Sequence, residues 1–401
     1  MKHPFLSKLL LFSFFIIMLY LLYTLNYHQI FDFTYKVTFE SSANGKLTAH
    51  YITAYTSDTP NHIQFAKALF EKGRFISHPL WHTTIFLIAK IFHTSYEYGA
   101  LIASTFYLML WVFLVYTLVS KFLKNTLIYE KIFVTFTICM IGPLNIPWYD
   151  PMIFQGVGSP NLWHNVTLWT VKPFALLSLF FTIQGIEKKS RKLLVYAFLA
   201  SLLSIVAKPS FIIAFLPALL LFALIHKLWK EKGFLIFYST LTLVTIGILF
   251  YQYLHTFQSN DSHIIIAPFA VWCINSPNIP LSILLGLAFP TLYTLLNTQS
   301  LLENRYILLS WLLTFISIIY YATFAQAGKF YTDGNFGWSY MISMSLLYLF
   351  SIIEFFSKIN ILAWYKKYIL LTILIIQLTI GIVYFYAIYN GSTPYFIKFQ
   401  I

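Results

Sequence analysis

Apolar runs recur along the whole sequence, many of them close to the ~20 residues that carry a helix across ~30 Å of hydrocarbon. That feature leaves few options for the fold. Hydrophobic residues make up 59% of the 401 positions and charged residues only 10%. Soluble domains carry roughly 25% charged residues, so an ordinary globular protein is excluded. The runs predict spans at 5–26, 97–119, 132–149, 166–185, 193–207, 210–226, 234–255, 279–297, 306–323, 337–357 and 368–389. The expected fold class is an all-α polytopic membrane protein of about eleven crossings. It forms one domain over 1–401 with no separate soluble domain. The first run follows Lys2 and Lys8. Its length, and the lack of a small-residue cleavage site, favour a retained anchor over a signal peptide.

The loops give an independent check. With the N-terminus inside, the cytoplasmic connections are 121–131, 187–192, 226–232, 298–305 and 357–367, most of them rich in Lys. The opposite loops at 150–164 and 260–278 contain neither Lys nor Arg. This is the positive-inside pattern, which sets orientation through short loops. It also accounts for the net charge of +13 without nucleic acid, since no sustained basic patch with interleaved aromatics occurs. Cys139 and Cys273 are far apart and define no disulfide framework or metal ribbon.

The polar chemistry then falls on the outer side, which points to a membrane enzyme whose substrate arrives in the lipid. Residues 81–92 are apolar but too short to span. Residues 79–93 therefore read as a helix lying in the interface or dipping into the outer leaflet. The first outer loop covers about 27–96 and holds two short helices. One starts at Thr59-Pro60 and stops at Gly73; the other starts at Pro79. Loose alternation over 34–53 predicts extended chain. No internal repeat or low-complexity tract is present.

Asp58 and His62 stand four apart, on one face of the first short helix. A carboxylate and an imidazole so placed serve as general base and orienter, or as two metal ligands. The structural alternative for Asp58 is a helix N-cap. Ala66, Leu69, Gly73 and the run His78-Pro79-Leu80-Trp81-His82 follow. An acidic residue after the first span, a helix ending in Gly and a His-Pro-Leu helix start together resemble the first outer loop of GT-C glycosyltransferases. That superfamily includes the protein O-mannosyltransferases and the lipid A aminoarabinose transferase. The resemblance covers about 50–120 and the many-helix layout. It implies a catalytic or metal-linked role for the acid at Asp58. Two departures stand out: Pro79-Leu80 replaces a common pair of prolines, and Ser57 or Thr59 occupies the place of a second acid.

The resemblance also implies a second functional acid in the next outer loop, where Asp150 is the one acidic residue. Two carboxylates facing one cavity divide into base and electrostatic stabiliser, or share a divalent cation. A cap or an Asp-Pro turn is the structural alternative for Asp150. The uncharged stretch Trp163-His164-Asn165 offers indole, imidazole and amide groups, which suit sugar rings and hydroxyls. Trp163 also fits a plain interfacial role. Lys172 and Lys208 each precede a Pro near the outer leaflet. A buried Lys in a span is costly and points to function, with snorkelling as the alternative. Together with Arg74 they are expected to hold the phosphate of a polyprenyl-phosphate donor. Asp333-Gly334 marks a turn, and Asn335 adds a polar contact. His78 and His82 complete the expected substrate-binding set.

These expectations describe a glycosyltransferase of the inner or plasma membrane, with its N-terminus cytoplasmic and its site outside. It would move a sugar from a polyprenyl-phosphate donor to a glycan, lipid or protein acceptor, with no nucleotide-binding loop required. The rivals are a polymerase or ligase of lipid-linked glycans, a transporter or flippase, and a non-catalytic assembly partner.

Overall fold

The computed structural model describes residues 4–32, 35–41, 47–53, 57–146, 156–256 and 263–391. It is nearly all helical. In chain order the first half runs α1 (Pro4–Phe31), β1 (Tyr35–Ser41), β2 (Leu47–Thr53), α2 (Thr59–Lys72), α3 (Leu80–Ile91), α4 (Tyr96–Phe122) and α5 (Ile128–Met140). Next come α6 (Val166–Glu187), α7 (Arg191–Ala207), α8 (Ser210–Ile225), α9 (Lys232–Thr256) and β3 (Ile264–Ile266). The chain continues with α10 (Ala270–Asn275), α11 (Ile279–Gly286), α12 (Ala288–Leu296), α13 (Thr298–Glu303) and α14 (Arg305–Thr323). It ends with β4 (Phe324–Gln326), α15 (Gly337–Lys358) and α16 (Trp364–Tyr389). Two antiparallel ribbons interrupt the helices, β1 with β2 and β3 with β4. The first falls where alternation predicts extended chain.

Among the described residues seven helices (α1, α4, α6, α9, α14, α15 and α16) are long and apolar enough to cross a membrane. The chain is thus a multi-pass membrane protein. The bent pair α11–α12, which turns by 75°, makes an eighth if taken as one span. This falls short of the eleven expected, for local reasons. Helix α5 has only 13 residues. It stops before Gly142-Pro143, where Pro lacks an N–H and disfavours helix in the residue before it. Helices α7 and α8 have 17 and 16 residues.

The bundle is built around α15 and α6. Of their apolar windows 94% and 83% are buried, against 17% for α1 and 22% for α9. Helix α6 packs along α7, and α14 along α15. Small residues allow one very close approach, between the end of α5 and α16. The Gly142 N–H donates to the Gln377 carbonyl (3.1 Å). A Cβ added at Gly381 would lie 1.9 Å from the Met140 carbonyl oxygen.

The connections sort to two ends. At one end Lys189 pairs with Glu231 (2.9 Å) and Lys358 reaches Ser300 (3.0 Å), joining the basic loops to one another. At the other end α2, α3, the segment 156–165, the α7–α8 turn, β3–β4 and the start of α15 converge. Helix α2 is the short helix anticipated from Thr59-Pro60, and Gly73 ends it in the left-handed region at φ 65°.

Candidate active site

At the convergent end lies a cavity of about 930 Å³. Asp58, His62, His78, His164, Asn165, Lys208 and Asn335, seven of the residues singled out from sequence, line it. They arrive from five stretches of chain.

Asp58 precedes α2, but its side chain makes no cap. The Ser57 hydroxyl instead takes the Thr59 amide (3.2 Å) and bonds the Thr59 hydroxyl (2.7 Å). The capping alternative for Asp58 therefore fails. Its backbone N–H donates to the His164 carbonyl (2.9 Å), which docks the start of α2 on the segment 156–165. Its carboxylate accepts a hydrogen bond from Asn165 Nδ2 (2.5 Å). Asn165 is also the N-cap of α6, where its Oδ1 accepts from the Leu168 amide (2.9 Å). One amide thus starts a helix and orients a carboxylate.

His62 faces the same cavity but does not orient Asp58 as the four-residue spacing predicts. Its Nδ1 lies 3.0 Å from Nε2 of His82, which is fully buried behind it. His78 sits beside them, with Nδ1 2.8 Å from the Ser77 hydroxyl. Ring centres of His78 lie 6.4 Å from His62 and 6.3 Å from His82. Burial is the leading reason that all three bases are weakened. It pulls His78 down to about 3 and His82 to about 4, and holds His62 well below its ordinary value. Lys208 adds to the effect at His62 and His78. His164 is lowered by burial too, with Asp58 opposing. The imidazoles are therefore neutral hydrogen-bonding groups at neutral pH.

Lys208 ends α7 and is 7% exposed. Its ammonium donates to the Thr167 hydroxyl (2.8 Å) and sits 4.5 Å over the Trp338 ring. Burial lowers it to about 8, with Asp58 opposing. Asp333 also lines the cavity, and there it is more than a turn residue. Its carboxyl is raised, first by burial and then by the charge of Asp58. Asn335 donates from Nδ2 to Gln326 Oε1 (2.7 Å), fixing the approach to α15 against β4.

Two expected residues, Lys172 and Arg74, stand elsewhere. Lys172 is 4% exposed and does not line the cavity. It donates to the Pro160 carbonyl (2.6 Å) and to Asn161 Oδ1 (3.2 Å), beside the Trp111 ring at 5.4 Å. Its place in the span gave its depth but not its direction. Arg74 is exposed just beyond Gly73, outside the cavity lining. Asp150 lies outside the described residues, so the paired role with Asp58 has no geometry here. Among the described residues no three His, Cys, Asp or Glu side chains are grouped to hold a metal ion.

Sequence reasoning passed over Asn61, Asn275, Gln326 and His255, all of which line the cavity. Asn61 carried a usable signal, lying three residues after Asp58 and so near the same helix face. The segment 156–165 that supports the site is held almost throughout. Asn161 Nδ2 donates to the carbonyls of Ile138 and Ile141 (3.0 Å each), Ser345 to Pro160, and Trp169 Nε1 to Leu162. No protein-family model matches the chain, and no curated protein matches its sequence.

Proposed function

We infer that the protein is a membrane glycosyltransferase that takes a sugar from a polyprenyl-phosphate donor and transfers it to an acceptor hydroxyl outside the cytoplasm. The observation that carries the reading is Asp58. Its carboxylate opens onto a cavity and is held by an amide rather than being used up in a cap or ion pair. The surrounding groups are those that recognise sugars: amides at Asn61, Asn165, Asn275 and Asn335, neutral imidazoles, and the Trp338 indole. Donor and acceptor both have room in about 930 Å³.

In this mechanism the acceptor oxygen attacks the anomeric carbon and its proton passes to Asp58. The bond from that carbon to the phosphate oxygen breaks, and the polyprenyl phosphate leaves with the electron pair. Lys208, the cation that lines the cavity among the described residues, stabilises that developing charge. The neutral His62, His78 and His164 and the amides of Asn165 and Asn335 orient sugar hydroxyls. The proposed sidedness follows the Lys-rich loops, which set the opposite end in the cytoplasm of an inner or plasma membrane. A count near eleven crossings, with α5, α7 and α8 as short ones, fits that sidedness.

The ligase reading leans on an outer-loop Arg, and Arg74 is exposed away from the cavity. The acceptor in this reading is a glycan, a lipid or a protein. The test is release of polyprenyl phosphate from a panel of polyprenyl-phosphate sugars by purified protein in lipid. Asp58→Asn abolishes release while thermal stability and expression hold. Full activity in that variant rejects the assignment.

A further inference from the structure

We propose that Thr167 is a positioning residue that couples Lys208 to Asp58 through Asn165. The coupling is a chain of three hydrogen bonds that run in one direction. Lys208 Nζ donates to Thr167 Oγ1 at 2.8 Å. Thr167 Oγ1 donates to Asn165 Oδ1 at 2.9 Å, and Asn165 Nδ2 donates to Asp58 Oδ2 at 2.5 Å.

The direction of each bond is fixed by chemistry. An ammonium has no acceptor, so the Thr167 oxygen must accept from Lys208 and spend its own proton on Asn165. Asn165 Oδ1 receives two donors, the Thr167 hydroxyl and the Leu168 amide, which sets the amide nitrogen toward Asp58. Thr167 is fully buried, and Asn165 is 3% exposed. Water therefore has little access to compete for these bonds.

Thr167 differs from several other buried Thr within the helices. Thr170, Thr182 and Thr314 return their hydroxyls to the carbonyl four residues earlier, at 2.7–2.8 Å. For Thr167 that carbonyl belongs to Trp163, lies before the helix begins, and accepts from Gln29 Nε2 (2.5 Å). The hydroxyl is left to join a cation to an amide instead. Bonds in such a chain polarise one another. A protonated Lys208 thereby strengthens the hold on Asp58 Oδ2 and leaves Oδ1 for an acceptor hydroxyl.

The groups that face Lys208 are Asp58 and His62 from the start of α2, His78 before α3, His164, and Trp338 at the start of α15. His82 stands behind His62 and His78, and Asp333 shares the cavity and feels Asp58. The histidines are neutral near the pH at which Lys208 titrates. Its proton is therefore the variable one at the mildly alkaline end.

The test reads Lys208 directly. Competitive labelling with acetic anhydride across the pH range, read by mass spectrometry, gives its titration midpoint without any substrate. Asp58→Asn shifts the midpoint down in the wild-type background. The shift shrinks to less than half in Thr167→Val and returns in full in Thr167→Ser. Thr167→Ala removes the same hydroxyl with less bulk and repeats the test where Val does not give folded protein. An equal Asp58→Asn shift with and without the hydroxyl overturns the proposal, because the two charges then act directly through space.

The catalytic consequence rests on the transferase reading. Under it, the alkaline limb of the rate profile moves in Thr167→Val and is restored in Thr167→Ser. Coupling without transfer rejects the transferase reading and leaves the tie standing. Transfer without coupling does the reverse.

Discussion

The three weakened imidazoles of the α2–α3 segment make that unit sensitive to acid. In the unfolded chain His62, His78 and His82 each titrate near 6.5. Folded, all three lie lower, His82 at about 4 and His78 at about 3. Below pH 6.5 the unfolded segment binds protons that the folded one refuses, so stability falls as pH falls. The loss continues until the folded groups titrate. For His78 and His82 it amounts to about 1.4 kcal/mol per pH unit, or about 2 kcal/mol each at pH 5. His78 and His82 together set a limit of about 4 kcal/mol, reduced because His78 partly opens onto the cavity, and His62 acts in the same direction. The assay is hydrogen exchange in detergent, corrected for the intrinsic pH dependence, with peptides of α2 and α3 followed against α15. His78 and His82 are each expected to raise local opening of α2 and α3 by about thirtyfold between pH 7 and pH 5, with His62 adding in the same direction. His82→Gln keeps a partner for His62 and removes one titrating group, so it reduces that acid effect. Unchanged protection of α2 and α3 at pH 5 refutes the reasoning, as does an equal loss in α15 that His82→Gln leaves untouched.

Two further outcomes follow from the packing. Lys172→Met leaves the Asn161 carbonyl oxygen Oδ1 without that donor, and unfolding in detergent shifts by about 1–3 kcal/mol. Under the proposed transferase reading donor KM stays unchanged, because Lys172 holds the loop instead of lining the cavity; a large rise in KM places it against substrate. Gly381→Ala drives a methyl into the Met140 carbonyl and costs about 1–3 kcal/mol or more. A thermal midpoint equal to the wild type's shows that the α5–α16 contact is looser than described.

The helical, multi-span character of the fold was legible because long apolar runs are a local property. The stop at Gly73 and the start at Pro79 were legible for the same reason. The short α5 was not, since a hydropathy run continues through Gly142-Pro143 although the helix does not. The α11–α12 bend was missed likewise, because a run of apolar residues carries no angle. At the site, residue type was a good guide and partnership was not. Asp58 was found as an acid at a helix start, yet its partner Asn165 is 107 residues away. Asp333 was read as a turn, because only the folded chain brings it to the cavity of Asp58. Lys172 shows the limit most plainly: helical rise gives depth in the bilayer, while azimuth depends on neighbours from distant sequence.

The anchoring of segment 156–165 divides the cavity into unequal halves. On one side the backbone carrying His164 and Asn165 is tied to α5, α6 and α15, the last two being the most enclosed helices. On the other, α9 contributes His255 from a helix with little of its surface covered by protein. Asp58, Asn165 and Lys208 are held on that side by hydrogen bonds within the protein. Whatever accommodation a bulky guest demands falls to the lightly covered half, and variants that alter guest size have their room there.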